Sequence, residues 1–178
     1  VGEKAVPKTK SEMRAINTSK LRLEENSRLL EIGAGTGSVT IEAALAAHSG
    51  RVWALEKNPA ALETCCANIA RFGLDNITLL EGAAPEAIPD EVFDRVFIGG
   101  SGGNMAEIVA RVLRQDAPLR IVISAITLES VSEALAALKQ GGGRNLEIVQ
   151  AAVARSKPAG SKHLMLGLNP ITIIAADF

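Results

Sequence analysis

The sequence predicts an α/β fold, with a seven-stranded, mostly parallel sheet, helices on both faces and an antiparallel hairpin at one edge. Three observations carry this prediction. Short apolar runs of strand length alternate with longer stretches of helical periodicity, the pattern of crossover-connected parallel strands. Most of the runs stop at glycine or at Asn-Pro, as strands do when they turn into helices. The last two runs follow one another without a helix between them, so they must pair antiparallel.

Taken in order, Thr9-Lys10-Ser11-Glu12 reads as a capping box for a first helix that runs to about Leu21. Arg28-Leu29-Leu30-Glu31-Ile32 is the first strand and runs into glycines, and a helix follows to about His48. Arg51 to Glu56 is the second strand, ended by Asn58-Pro59, an N-cap with proline at the first helical position. The third helix carries Leu62, Cys65, Cys66 and Ile69 at i, i+3, i+4 and i+7, which predicts that both cysteines face the core. Gly73 closes this helix, and Ile77 to Glu81 and Arg95 to Ile98 are the next strands. A helix over Met105 to Leu113, a strand over Leu119 to Ser124 and a helix from Leu128 to Lys139 follow, the last with Val131, Leu135 and Leu138 on one face. After the turn at Gly141-Gly142-Gly143, the tail holds strands over Leu146 to Ala154 and Leu166 to Ala175 around a polar loop.

The 178 residues suit one domain, 1–178, large enough for a self-sufficient core. With a net charge of −1 and 47% apolar residues, neither disorder nor general polyanion binding is expected. The chain has no tyrosine and one tryptophan, which argues against an RNA-stacking surface. Two adjacent cysteines offer neither a disulfide framework nor a zinc site, and no segment reads as a leader or a membrane span. A cytoplasmic protein that binds neither nucleic acid nor membrane is the expectation.

In an open α/β sheet, ligands bind beyond the carboxyl ends of the strands. Gly33-Ala34-Gly35-Thr36-Gly37 stands at the first of these ends, where glycines permit close backbone approach and a sharp turn into a helix whose amino end favours an anion. A dinucleotide fingerprint would place its third glycine at position 38, which is Ser38, so the G-x-G-x-G spacing favours S-adenosyl-L-methionine over a nicotinamide cofactor. Glu56 ends the second strand, where a carboxylate can accept hydrogen bonds from ribose hydroxyls. Gly82 and Ala83, after the third strand, would present backbone groups to the adenine.

After the fourth strand comes Gly99-Gly100-Ser101-Gly102-Gly103, where amino-group methyltransferases usually carry an Asn/Asp-Pro-Pro-aromatic motif. Its glycines leave room for a wide, flat substrate to lie against the backbone. With Val6-Pro7-Lys8-Thr9, the segment Glu81 to Ala87 and Leu168-Asn169-Pro170, the chain resembles the CbiT-type precorrin methyltransferases of cobalamin biosynthesis over nearly its full length. The resemblance implies a class I, Rossmann-like fold and methylation of carbon 15 of a precorrin macrocycle, with decarboxylation of the ring C acetate. It places cofactor contacts at Thr9, Gly33 through Gly37, Glu56 and Ala83; relatives carry an aspartate at the Glu56 position and commonly an acidic residue at the Ala83 position. It also implies a homo-oligomer, a tetramer among relatives, and a likeness to the carboxyl-terminal domain of the CobL-type precorrin-6Y C5,15-methyltransferases. The abrupt start suits a domain excised from such a chain or associated with a C5-methyltransferase.

Ser101 is the candidate for orienting the macrocycle within the loop formed by Gly99, Gly100, Gly102 and Gly103. A substrate rich in carboxylates calls for cations at the mouth. Lys8, Lys10 and Arg14 form one candidate cluster; Arg155, Lys157, Lys162 and His163 form another, of which Arg155 and Lys162 are the substrate-binding candidates. Another small methyltransferase acting on protein or RNA, a nicotinamide oxidoreductase and a non-catalytic cofactor-binding subunit remain the alternatives.

Overall fold

In the computed structural model, residues 11–178 are described. Helix α1 (Ser11–Leu21) precedes strand β1 (Arg28–Ile32), α2 (Ser38–Ala46), β2 (Arg51–Glu56), α3 (Pro59–Phe72), β3 (Ile77–Glu81) and β4 (Arg95–Ile98). Then come α4 (Met105–Val112), which ends in a single 3-10 turn, β5 (Arg120–Ala125), α5 (Leu128–Gln140), β6 (Arg144–Ala151), β7 (Ala154–Ala159), β8 (Lys162–Gly167) and β9 (Ile171–Asp177). Thr9, and with it the predicted capping box, lies outside the described residues, as do Lys8 and Lys10.

Seven strands form one sheet in the order β3-β2-β1-β4-β5-β9-β6. The pairs β2–β3, β1–β2, β1–β4 and β4–β5 are parallel, and β9 runs antiparallel to both β5 and β6. Because side chains alternate across a sheet, each central strand feeds two cores. Leu30, Ile32, Trp53, Leu55, Val96, Ile98, Ile121 and Ile123 pack on one face with Ile108 and Val109 of α4 and Ala134 and Leu138 of α5. Leu29, Val52, Phe97, Val122 and Ile173 pack on the other with Leu21 of α1 and Val39, Ala43 and Ala44 of α2. Burial on both faces explains why these strands read as unbroken apolar runs. Among the described residues no helix is long and apolar enough to cross a membrane.

Two expectations are corrected. Cys65 is fully buried but Cys66 is exposed, because α3 turns Ala61 and Cys65 inward rather than the Leu62–Ile69 stripe. A helix with one partner face buries a narrower arc than its apolar residues span, and alanine at 61 lets the backbone approach closely. The tail also differs: the strands of the sheet are Arg144–Ala151 and Ile171–Asp177, and the intervening residues form a separate two-stranded hairpin of β7 and β8. The apolar run Leu164-Met165-Leu166 belongs to β8, and Pro170, which has no N–H for a ladder, separates it from β9. All residues of β7 and β8 are exposed.

At the end of the sheet opposite the strand carboxyl ends of β1 to β5, a charged cluster joins four elements. Arg120, only 4% exposed, donates to Asp177 Oδ1 at 2.6 Å, to Glu147 Oε1 at 2.7 Å and to the Lys20 carbonyl at 2.6 Å. Lys20 and Arg22 also donate to Glu147, at 2.7 and 2.6 Å. Hydrogen bonds from Lys20 and Arg120 hold the Glu147 carboxyl down at about 2, against an ordinary 4.5. A carboxyl with a lowered folded-state pKa stabilises fully above its unfolded value and loses that contribution as pH falls through the folded value. Acid titration of stability should therefore show a loss between pH 4.5 and about 2 that Glu147→Gln reduces. Arg120→Met, which leaves carboxylates without their buried partner, should cost about 3 kcal/mol in urea unfolding at neutral pH.

Candidate functional site

The carboxyl ends of β1 to β5 open onto one cavity of about 920 Å³. Its floor is the loop after β1. There the ladder continues past the strand ends, with the Gly33 and Ala34 N–H groups donating to the Leu55 carbonyl at 2.9 and 3.1 Å and the Gly99 N–H to the Ile32 carbonyl at 2.9 Å. The loop is therefore anchored to β2 and β4 at once. From α3, the Asn68 amide donates to the Thr36 carbonyl at 2.9 Å.

Two glycines are required by contact. A β-carbon on Gly33, at φ 81°, would lie 3.1 Å from the Gly100 nitrogen, so the loops after β1 and β4 touch backbone to backbone. A β-carbon on Gly37, at φ 78°, would stand 2.5 Å from Cys65 Sγ, inside van der Waals contact. Gly37 is also the N-cap of α2 and supplies no side-chain hydrogen bond to it. The first N–H groups of α2, which a helix leaves without intrahelical partners, thus have no side-chain cap at the end where Ser38 lines the cavity, a setting that suits a carboxylate.

Glu56 turns its carboxylate back onto the same loop. Its Oε2 accepts from the Gly35 N–H at 2.8 Å, and its Oε1 accepts from the N–H groups of Lys57 and Asn58 at 2.9 and 2.8 Å. A carboxylate offers about four acceptor positions, so this arrangement leaves roughly one, on Oε2, for a ligand hydroxyl. Asn58 in turn caps α3, its Oδ1 accepting from the Ala60 and Ala61 N–H groups.

Of the sequence-predicted site residues, Gly33, Ala34, Gly35, Thr36, Glu56, Gly82, Ala83, Gly99, Gly100, Ser101 and Gly102 all line this cavity. Gly37 lies beneath the loop, and Gly103, Arg155 and Lys162 are not part of the wall. Ser101 Oγ accepts from the Gly103 N–H at 3.4 Å, and Asn104 reaches from the same loop to the Ala84 carbonyl at 3.4 Å. Arg155 is engaged elsewhere: it donates to Glu12 Oε2 at 2.5 Å and to Ser11 Oγ at 3.1 Å, tying the hairpin to α1. Arg14 pairs with Glu42 at 2.7 Å.

Sequence reasoning missed several wall residues. Ile126, Thr127 and Ser130, beyond β5, could have been found by applying the strand-end rule once more. Val153, Leu168 and Asn169 come from the two ends of the hairpin and needed the tail topology. Glu31 is the most consequential. It lines the cavity floor at 1% exposure, and the Thr40 hydroxyl donates to its Oε2. A charged residue among the apolar residues of β1 was its only signal.

Burial pushes the Glu31 carboxyl up to about 8, with the Thr40 bond opposing the rise and the nearby Glu56 charge adding to it. Cys65 below is pushed up to about 11, by burial and by the field of Glu31, so it is an inert thiol. For Glu31 the linkage runs opposite to that of Glu147. The folded state holds a proton that the unfolded chain releases above its ordinary value of 4.5, so this residue destabilises progressively between pH 4.5 and about 8. Glu31→Gln, which still accepts from Thr40, should stabilise the ligand-free protein at pH 8 by a few kcal/mol (order of magnitude, about 1.4 per pH unit) and do little at pH 4. Thermal unfolding at the two pH values reads the difference.

Comparison with known proteins bears on this site. Residues 4–177 match a family model described as a precorrin methyltransferase domain. A Saccharolobus solfataricus protein named probable cobalt-precorrin-6B C(15)-methyltransferase (decarboxylating) is 39% identical over 98% of this chain and 90% of its own length. A Salmonella typhimurium protein named cobalt-precorrin-6B C(15)-methyltransferase (decarboxylating) is 41% identical, over 97% and 90%. Among solved structures, a precorrin-6y C5,15-methyltransferase from Geobacter metallireducens superposes with a TM-score of 0.88 at 39% identity, covering 99% of this chain and 91% of the other.

Proposed function

This chain belongs to the precorrin methyltransferase family, and from that premise we propose that it methylates carbon 15 of a precorrin macrocycle and decarboxylates its ring C acetate, a step of cobalamin biosynthesis. The observation that carries the reading is the composition of the cavity at the strand carboxyl ends. One half pairs a backbone-held carboxylate with the free amino end of α2, and the other half is a loop almost without side chains.

The first half fits S-adenosyl-L-methionine. Glu56, through its remaining acceptor position, would take a ribose hydroxyl, Gly82 and Ala83 would border the adenine, and the backbone of Gly33 to Gly37 with the α2 amino end would receive the methionine carboxylate. Thr9 is a further candidate contact. When bound, the cofactor supplies an already activated methyl group, and S-adenosyl-L-homocysteine remains.

The chain's own work is then placement. Gly99, Gly100, Gly102 and Gly103 let a flat ring approach the backbone, and Ser101 Oγ is the orienting hydroxyl. Positioning of this kind is worth up to roughly 7–11 kcal/mol. An electron-rich ring carbon attacks the methyl directly as its bond to sulfur breaks, the macrocycle then takes up the electron pair released as carbon dioxide leaves, and the proton lost from carbon 15 is balanced by one gained at the former acetate carbon. Lys162, on the hairpin whose ends join the cavity wall, is a candidate for attracting substrate carboxylates, and Arg155 could join it by exchanging Glu12 for one.

The hairpin also supports self-association. An isolated two-stranded hairpin is marginally stable, and this one exposes Leu164, Met165 and Leu166 at 59, 66 and 47%. A homotetramer, in which copies cover these residues, is the proposed assembly; domain 1–178 can equally stand fused to a C5-methyltransferase. Met165→Lys should lower the mass measured by light scattering.

Incubation with cobalt-precorrin-6B and methyl-labelled S-adenosyl-L-methionine, followed by mass spectrometry, tests the reaction. Gain of the label with loss of carbon dioxide supports it, and absence of both refutes it. Glu56→Ala should weaken S-adenosyl-L-homocysteine binding by about tenfold to a hundredfold in calorimetry, the effect of deleting a charged hydrogen-bond acceptor.

A further inference from the structure

Several cations near the cavity are already committed. Arg14 is bound to Glu42 and Arg155 to Glu12. Lys57 is exposed, lines the cavity and pairs with no carboxylate among the described residues. Its backbone is fixed, since its N–H donates to Glu56 Oε1, on the carboxylate that also holds Gly35. Its side chain leaves the end of β2 and reaches the loop after β4, where a β-carbon built at Gly102 would be only 2.9 Å from Lys57 Nζ.

In the sheet, β1 stands between β2 and β4. The ammonium is therefore carried across the carboxyl end of β1 to the loop that holds Ser101. Glycine at 102 leaves the space that the ammonium uses. Beyond the same loop, past the end of β5, Ile126 lines the cavity at 62% exposure and makes an apolar lip. A mouth with an unpaired ammonium on one side and an apolar lip on the other is complementary to a broad ring with carboxylates at its rim.

We propose that Lys57 is a substrate-binding residue whose ammonium takes a rim carboxylate of the macrocycle and so selects which edge of the ring enters the cavity. This rests on the function proposed above. The pair forms at a solvent-exposed mouth, so it is sensitive to salt.

Lys57→Met keeps the stem and removes the charge, and Lys57→Arg keeps a charge. In steady-state turnover of cobalt-precorrin-6B, Lys57→Met should raise KM about tenfold with kcat within about twofold, the loss expected for one charged hydrogen bond. Its KM should also depend less on salt, Lys57→Arg should recover most of the loss, and calorimetric affinity for S-adenosyl-L-homocysteine should stay within about twofold of wild type. An unchanged KM overturns the assignment, as does a loss that falls on S-adenosyl-L-homocysteine affinity instead, which would give Lys57 to the cofactor. If wild type binds S-adenosyl-L-homocysteine but turns over no precorrin, the function itself fails and Lys57 falls with it; normal wild-type turnover with an unaltered Lys57→Met removes the Lys57 role alone.

Discussion

Everything at the site depends on how closely the backbone after β1 is packed. Gly37 lies against Cys65 closer than a β-carbon allows, Gly33 lies so near Gly100 that a β-carbon would have to displace it, and both have a positive φ that disfavours a side chain. These contacts bring the loops after β1 and β4 together and seat α3 beneath the first of them. A larger residue at either glycine would have to push apart elements that the sheet holds in register, since interiors of this density transmit strain rather than absorb it. The cavity is open because the atoms below it are not.

Charge at the site is arranged in layers on that packing. Glu56 is held by three backbone N–H groups and stays available at the surface of the loop, whereas Glu31 lies below it without comparable donors and is driven toward its neutral form. Two glutamates near the ends of adjacent strands thus sit in different surroundings, one among backbone donors and the other desolvated. Lys57 adds a positive charge whose backbone is positioned by the same Glu56 carboxylate. One carboxylate therefore organises the glycine loop, the cap of α3 and the approach of an ammonium to the cavity mouth.

The opposite end of the sheet has a different task. Arg120 joins α1, β5, β6 and β9 through Glu147 and Asp177, and this is what locks the antiparallel β9 between a parallel strand and the edge. With that end clamped, the strand ends that build the cavity can carry glycine-rich loops. Stability and function are separated along the strand axis.

Local signals in the sequence determined the fold class, the strand and helix order through α5, the Asn58 cap and the positions of Glu56 and the two glycine runs, because each follows from short-range periodicity or turn chemistry. Apolar spacing alone could not choose which arc of α3 faces inward, so Cys66 was misplaced, and it could not divide Leu164 to Leu166 from β9, since an exposed hairpin and a buried strand use the same residues. The burial of Glu31, the engagement of Arg155 by Glu12 and the reach of Lys57 to Gly102 were decided only by the tertiary structure. Each depends on atoms brought together from distant parts of the chain, and the electrostatics of a side chain follow from what surrounds it rather than from its place in the sequence.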